Sequence, residues 1–273
     1  MKIYDFDEKF YDYARTWVAL HPGLTEQQIE DSYNEMMRGW LNAPAKWLDG
    51  VKPVEYFDRY SDPKDLIKLL GEYDKRDFGL PEPLYARVVA VGEPCVEPLM
   101  RVAADWTNSD SLRGTAIALL KDIGSDAPRQ LFVELVCRCK GEDDEPGNLA
   151  SEALMAGDSS VVEPLLERYA KAPEYAQGLI LEICAGFPGD ERVYEYLVDK
   201  LNNRPEERGL YAALLGKLGD ARAIEALKPF LTAQDIGYLD YIEVRDAIEE
   251  LGGDPGEDRD FYGDPDFEAM RDM

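Results

Sequence analysis

Histidine is almost absent from this chain, since His21 is the single one among 273 residues. A hydrolytic triad needs a histidine beside its nucleophile, and a histidine-rich metal site needs several. His21 stands before Pro22-Gly23, a turn-forming pair, so we expect it to close a helix at the surface. Neither a catalytic triad nor a histidine-rich metal site is expected.

Cysteine is also scarce, with four residues at Cys95, Cys137, Cys139 and Cys184. Cys137-Arg138-Cys139 is spaced too tightly for the usual zinc pair, and a second Cys or His pair to complete four ligands is missing. So few cysteines do not make a dense disulfide framework. We predict structural, reduced thiols and a cytoplasmic location.

The usual catalytic motifs are missing as well. The sequence contains no phosphate loop, no dinucleotide fingerprint and no nucleophile elbow. The acidic run at residues 142–145 lacks the alternating ligands and the central glycine of a calcium loop. With 56 acidic residues, no carboxylate pair stands out as a general acid and base. We therefore predict that the chain is not an enzyme and holds no cofactor or metal.

Positive charge is sparse, because 30 basic residues face 56 acidic ones and the net charge is −26. The longest basic clusters are pairs such as Lys75-Arg76, whereas nucleic-acid binders show a basic stripe. The start, MKIYDFDEKF, lacks the basic and apolar regions of a secretory signal. No run approaches the roughly 18 apolar residues of a membrane span. Nucleic acid, membrane and export are disfavoured.

What the chain does have is an internal repeat. A glycine break followed by a polar or acidic residue recurs at Gly92, Gly124, Gly157, Gly189, Gly219 and Gly252, with spacings of 32, 33, 32, 30 and 33. Glycine takes the left-handed position that ends a helix, and Asp or Ser then caps the next one. The breaks predict five helix pairs between residues 91 and 253.

Each predicted pair has apolar residues at helical spacing in both helices, as in Ile224, Leu227 and Leu231 of one first helix. Pro94, Pro128 and Pro164 fall in or near the first turn, where a missing N–H costs little. Two amphipathic helices cannot enclose a core alone, so successive pairs must stack in series. The fold class is all-α.

Two segments carry a family resemblance. The run LGDARAIEAL at 218–227, paired with VRDAIEELG at 244–252, resembles the short HEAT-like repeat first associated with phycobilisome lyases, and LRGTAIALLKDIG at 112–124 is similar. The resemblance implies an armadillo-type fold, a right-handed α-α superhelix or solenoid. It says little about function, because such repeats serve many roles.

The two ends of the chain lack the period. Residues 1–90 are predicted to form a helical N-terminal cap, and the tryptophans Trp17, Trp40 and Trp47 lie there. We expect them to be structural, with a partner-binding patch as the alternative. Residues 254–273 hold eight acids, two arginines and three aromatics. We expect a loosely held tail, though its aromatics leave docking onto the repeats open.

Function is expected on the concave face, which the second helices of a solenoid build. Polar and aromatic residues that break the apolar spacing there are Arg113, Tyr175, Glu182, Tyr211, Tyr238, Tyr241 and Asp246. Sixteen tyrosines in an acidic chain favour a basic protein or peptide as the partner. We predict a non-catalytic binding scaffold. The alternatives are an immunity or inhibitor protein that covers a basic toxin and, by resemblance alone, a tetrapyrrole lyase or chaperone; a basic groove for DNA-alkylation repair is not present.

Overall fold

In the computed structural model, which describes residues 2–271, those residues form helices and turns and no strand. The prediction of an all-α chain is confirmed. Two compact units divide the chain, with Leu131 the last residue of unit 1 and Phe132 the first of unit 2. The predicted boundaries at 90/91 and 253/254 stay a prediction.

Unit 1 contains several helices connected by short 3₁₀ turns. These helices are α1 (Phe6–Leu20), α2 (Glu26–Asp31), α3 (Tyr33–Asn42), α4 (Pro63–Asp74), α5 (Glu82–Val91), α6 (Val96–Ala104), α7 (Asp110–Ile123) and the first part of α8 (Arg129–Val136), with 3₁₀ helices at Lys46–Leu48, Pro53–Arg59 and Glu93–Cys95.

A cluster of aromatic rings forms the core at the start of unit 1. Phe6 is 3% exposed and lies 5.5 Å, centroid to centroid, from Phe57 and 5.9 Å from Trp40. The buried Tyr56 hydroxyl donates to the Lys2 carbonyl at 3.2 Å, and burial raises the Tyr56 pKa to about 12. These rings pack α1 and α3 together, so Trp40 is structural, as the sequence predicted.

His21 is the C-cap residue of α1, as the sequence predicted. Its ring stacks on Trp17 with a centroid distance of 4.0 Å, and its Nδ1 lies 2.8 Å from the Trp17 carbonyl. The ring is thereby fixed against its own helix.

Unit 2 contains the rest of the helices. They are the end of α8, α9 (Glu145–Met155), α10 (Val162–Tyr169), α11 (Glu174–Ala185), α12 (Glu191–Asn203), α13 (Arg208–Leu218), α14 (Ala223–Leu227), α15 (Tyr238–Glu250) and α16 (Pro265–Arg271), with 3₁₀ helices at Ser159–Val161, Pro205–Glu207 and Lys228–Leu231.

In unit 2 helices near in sequence pack on each other: α9 on α11, α11 on α13, and α13 on α15. The last two approach closely. A Cβ on Gly209 would lie 3.2 Å from the Asp240 Cα, and one on Gly216 would lie 3.1 Å from the Ala247 Cα. The Gly209 N–H donates to Asp240 Oδ1 at 2.9 Å across 31 residues. Since both contacts share this offset, α13 and α15 run parallel.

Two of the glycine breaks end a helix as the sequence predicted, whereas Gly157 does not take a positive φ. Gly124 and Gly219 follow α7 and α13 with φ of 74°, the left-handed region that favours glycine. Directly after Gly219, the Asp220 carboxylate accepts the Arg222 N–H at 3.0 Å, just before α14 begins. One short segment therefore ends one helix and caps the next.

Two arginines tie successive breaks of unit 2 together. Arg222 binds Asp220, two residues earlier, at 2.6 Å and Glu191, of the preceding break, at 2.8 Å. Arg192 binds Asp190 at 2.6 Å and also Glu163. The Arg222 guanidinium lowers the pKa of Glu191. We call these two sets the arginine clamps; being exposed, each stabilises the fold only modestly.

The C-terminal segment packs against α15. Residues 254–271, which we call the strap, bring Phe261 against Tyr238 and Tyr241, and Phe261 is only 6% exposed. The expectation of a loosely held tail is wrong for these residues, because a buried ring outweighs the acidic composition. Asp272 and Met273 lie outside the described residues.

The helices formed by residues 2–271 all fall short of the length and apolar composition that a bilayer crossing requires.

Candidate functional site

A groove of about 470 Å³ in unit 2 lies between α11 and α13. Its residues are Lys140, Glu174, Tyr175, Gly178, Leu179, Glu182, Glu207, Leu210, Tyr211 and Leu214. On α13 the positions 210, 211 and 214, preceded by the N-cap residue Glu207, follow the spacing of one helix face, and on α11 the members recur three or four residues apart. The site is therefore a pair of neighbouring helix faces, which we call the α11/α13 groove.

The floor of the groove is apolar. Leu179 is half-buried and Leu214 is buried, whereas Leu210 keeps 48% of its surface exposed. A leucine this exposed on a helix is one of the few large apolar side chains that unit 2 presents to solvent. Gly178 leaves open space beside it, with no atom within 4 Å of where a Cβ would lie.

Tyr175 is held in place at one side of the groove by an asparagine. Its hydroxyl donates to Asn148 Oδ1 at 3.1 Å. The Asn148 amide in turn donates to the carbonyls of Gly141, Glu142 and Asp144 at 3.3, 3.0 and 3.0 Å. Burial raises the pKa of Tyr175. The ring is thus a rigid wall, oriented through the loop before α9.

Tyr211 is held at the other side by its own helix. The hydroxyl donates to Glu207 at 3.0 Å, four residues earlier. Burial, and then this carboxylate, raise the Tyr211 pKa well above its ordinary value. Tyr211 is 3% exposed, so it supports the groove from beneath rather than offering its ring to a partner.

The charge of the groove is negative on balance, with three glutamates and one lysine among its residues. Glu174 forms an ion pair with Arg204, outside the groove. Glu207 is exposed and Glu182 is half-buried, and the carbonyl of Glu182 accepts from Lys217 at 3.3 Å. An apolar floor with carboxylates along its edges suits a ligand that combines apolar and cationic groups.

The groove brings together Tyr175, Glu182 and Tyr211 of the residues predicted from the sequence. It adds Leu210 and Glu207, which the sequence analysis passed over. Both could have been found from the sequence, because they lie one and four positions before Tyr211, the spacing of neighbours on one helix face.

The other predicted residues lie elsewhere. Arg113 is in unit 1 and is 1% exposed: its Nε donates to the Ala103 carbonyl at 3.1 Å, its Nη1 bonds Asp110 at 2.9 Å, and its guanidinium lies 3.9 Å from the Trp106 ring centroid. Such a side chain fixes α7 to α6 and offers no surface to a partner.

Three predicted residues are on α15. Tyr238 and Tyr241 contact the strap, and Tyr241 is 2% exposed. Asp246 is exposed. The α11/α13 groove therefore does not include them.

The cysteines carry no reactive site in unit 1 or unit 2. All four are free thiols, and burial raises the pKa of each, that of Cys184 to about 12. At neutral pH they are protonated and poor nucleophiles. In the described part of the chain, no three His, Cys, Asp or Glu residues are grouped to hold a metal ion.

A comparison with protein-family models gives no match, and neither does a search of curated proteins.

Proposed function

We propose that this chain is a non-catalytic scaffold of stacked HEAT-like helix pairs, and that its α11/α13 groove binds a basic segment of another protein. The observation that carries the proposal is the pairing of the exposed Leu210, on an apolar floor, with glutamates at the edges of one groove.

The scaffold part of the proposal is supported by the order within unit 2. The second helices α9, α11, α13 and α15 each pack on the next, as stacked pairs require. Each arginine clamp joins its arginine to an acid about one repeat earlier, at separations of 29 and 31 residues. A regular series of this kind leaves one face of the second helices free for docking.

The partner's chemistry follows from the groove. A leucine or similar side chain of the partner would cover Leu210 and Leu179, at about 25 cal/mol for each Å² of apolar surface removed from water. Lysine or arginine residues on either side would meet Glu182 and Glu207. Since the chain carries a net charge of −26, its field also attracts a basic partner from a distance and repels nucleic acid.

The test uses affinity capture from a lysate of the cells in which the chain is native. Three full-length forms are compared: the unmodified chain, Glu182→Lys/Glu207→Lys in the groove, and Glu195→Lys/Glu225→Lys on α12 and α14. Both variants change the net charge by the same amount, and circular dichroism verifies their helical content. The captured proteins are identified by mass spectrometry at low and at high salt.

We expect a protein with a basic segment to be retained at low salt by the unmodified chain and the α12/α14 variant. It should be shed at high salt and lost by the groove variant. Equal capture by the two variants would contradict the assignment of the groove. Recovery of nucleic acid or of a coloured cofactor would contradict the scaffold itself.

A further inference from the structure

Arg245 of α15 holds the strap mainly through hydrogen bonds from its side chain to the backbone of the strap. Its Nη1 donates to the carbonyls of Gly256 and Glu257 at 3.1 and 3.4 Å. Its Nη2 lies 3.1 Å from the Asp258 carboxylate, and only 13% of the Arg245 side chain is exposed. One largely buried guanidinium therefore binds two carbonyls and one carboxylate of an irregular segment.

Two tyrosines of α15 hold the next residues of the strap. The Tyr241 hydroxyl accepts the backbone N–H of Arg259 at 3.0 Å. The Phe261 ring lies 4.7 Å from the Tyr241 centroid and 5.5 Å from that of Tyr238. Phe261 is buried while its neighbour Tyr262 is 80% exposed, and the Phe267 ring lies 5.0 Å from the Tyr238 centroid.

These contacts are of the kind that recognise peptides. Backbone groups of an irregular segment are bound by side chains of a helix, the Phe261 ring is buried, and one carboxylate contacts an arginine. From 254 to 264 the strap forms neither helix nor strand, and these side chains of α15 supply much of what fixes it. The surface of α15 thus acts as a receptor and the strap as its ligand.

We infer that the face of α15 formed by Tyr238, Tyr241 and Arg245 is a binding site for peptide segments that carry a carboxylate three residues before a phenylalanine, and that the strap is its displaceable resident. This site goes beyond the proposed function, because it lies on a different helix and selects an acidic ligand rather than a basic one.

The strap competes strongly for the α15 face because it is part of the same chain. A segment joined by a short linker acts at an effective concentration on the order of millimolar. A free peptide at micromolar concentration therefore cannot displace the intact strap unless it binds about a thousandfold more tightly. Weakening the strap's own rings removes that competition and leaves the α15 face unchanged.

The experiment measures fluorescence polarisation of a labelled synthetic peptide of residues 254–271. It is titrated with the unmodified full chain, with full-length Phe261→Ala/Phe267→Ala, and with that variant carrying Arg245→Gln in addition. A second peptide with Phe261→Ala serves as the matched control. Circular dichroism verifies the helical content of each variant.

We expect the ring variant to bind the peptide at least about tenfold more tightly than the unmodified chain does. Adding Arg245→Gln, or using the control peptide, should weaken that binding about tenfold. A folded ring variant that does not bind the peptide, or that binds both peptides equally, overturns the inference. None of these readouts involves the α11/α13 groove, so the proposed function stands or fails separately.

Amide hydrogen exchange of the unmodified chain supplies a second measurement should the ring variant unfold. The strap amides of Arg259 and Asp264 are expected to exchange about a hundredfold faster than those of Val244 and Ile248 in α15, because a displaceable segment opens locally. Equal protection of the strap and α15 would show that they unfold as one unit and would overturn the inference.

Discussion

Helices α13 and α15 run parallel at a constant offset of 31 residues, yet one presents an open surface and the other a covered one. This offset places Leu210 of α13 level with Tyr241 of α15, and Leu214 level with Arg245. The α13 positions line an acidic groove, whereas the α15 positions bind the strap. The constant offset determines which positions of the two helices correspond, and the residue types there determine whether the face is an open groove or is covered by the strap.

The closest approach of the two helices gives the largest expected effect. Gly216→Val would push Ala247 away and lower the free energy of unfolding by about 3 kcal/mol, as overpacking does. Gly178→Ala, on the open groove, should instead raise it by about 0.5–1 kcal/mol, because a helical glycine meets nothing there. Urea unfolding measures both. Equal effects would mean that α15 does not confine α13.

The second prediction concerns the covered face of α15 and removes the ring that covers it. Phe261→Ala should lower the free energy of unfolding by about 2 kcal/mol, less than in a deep core because the strap can open by itself. Tyr262→Ala, at a residue 80% exposed, should change it by less than about 0.5 kcal/mol. Thermal or urea unfolding distinguishes the pair. If Tyr262→Ala lowered the free energy of unfolding more than Phe261→Ala does, Tyr262 and not Phe261 would be the residue that anchors the strap.

The open face of α13 is tested by salt. Once a basic partner is identified, Glu207→Gln is expected to weaken its binding about fivefold at low salt, roughly 1 kcal/mol, and to reduce the salt dependence. Glu195→Gln on α12 is the control and should leave both unchanged. Isothermal titration calorimetry at two ionic strengths measures the dissociation constants. An identical salt dependence for the two variants would mean that the partner does not bind in the groove.

The smallest effect concerns alkaline pH. Burial and Glu207 raise the Tyr211 pKa above its ordinary value near 10, so the folded state keeps a proton that the unfolded state loses. The stabilisation is fully present below pH 10 and is lost as pH rises through the folded pKa. In Tyr211→Phe the free energy of unfolding should therefore fall less steeply above pH 10, whereas Tyr262→Phe should not alter the slope.

Periodicity was sufficient to predict the helices. A break such as Gly219-Asp220 ends one helix and starts the next through local backbone conformation, which does not depend on how the helices pack. Periodicity also places Tyr175 and Glu182 on the same face of one helix, where both line the groove; their role in binding stays a prediction. Arg113 was read as a surface residue because charge normally stays in water; its burial depends on the Ala103 carbonyl and on Trp106, contacts that composition does not reveal. Docking of the strap was left open as an alternative for a related reason. Whether Phe261 meets Tyr241 depends on how the chain turns after Gly253, and no periodic pattern covers that segment.

The arginine clamps bear on how this chain would respond to the deletion of a segment about one repeat long. Each clamp needs an Asp two residues before its arginine and an acid supplied by the helix pair before it, so the connection is made only between neighbours. Excising the stretch from Asp190 to Gly219 would bring Asp220-Ala221-Arg222 directly behind the pair that contains Glu163, where Arg192 had stood. Such a deletion would keep an arginine within reach of an acid of the preceding helices, so the remaining contact between neighbours would be preserved.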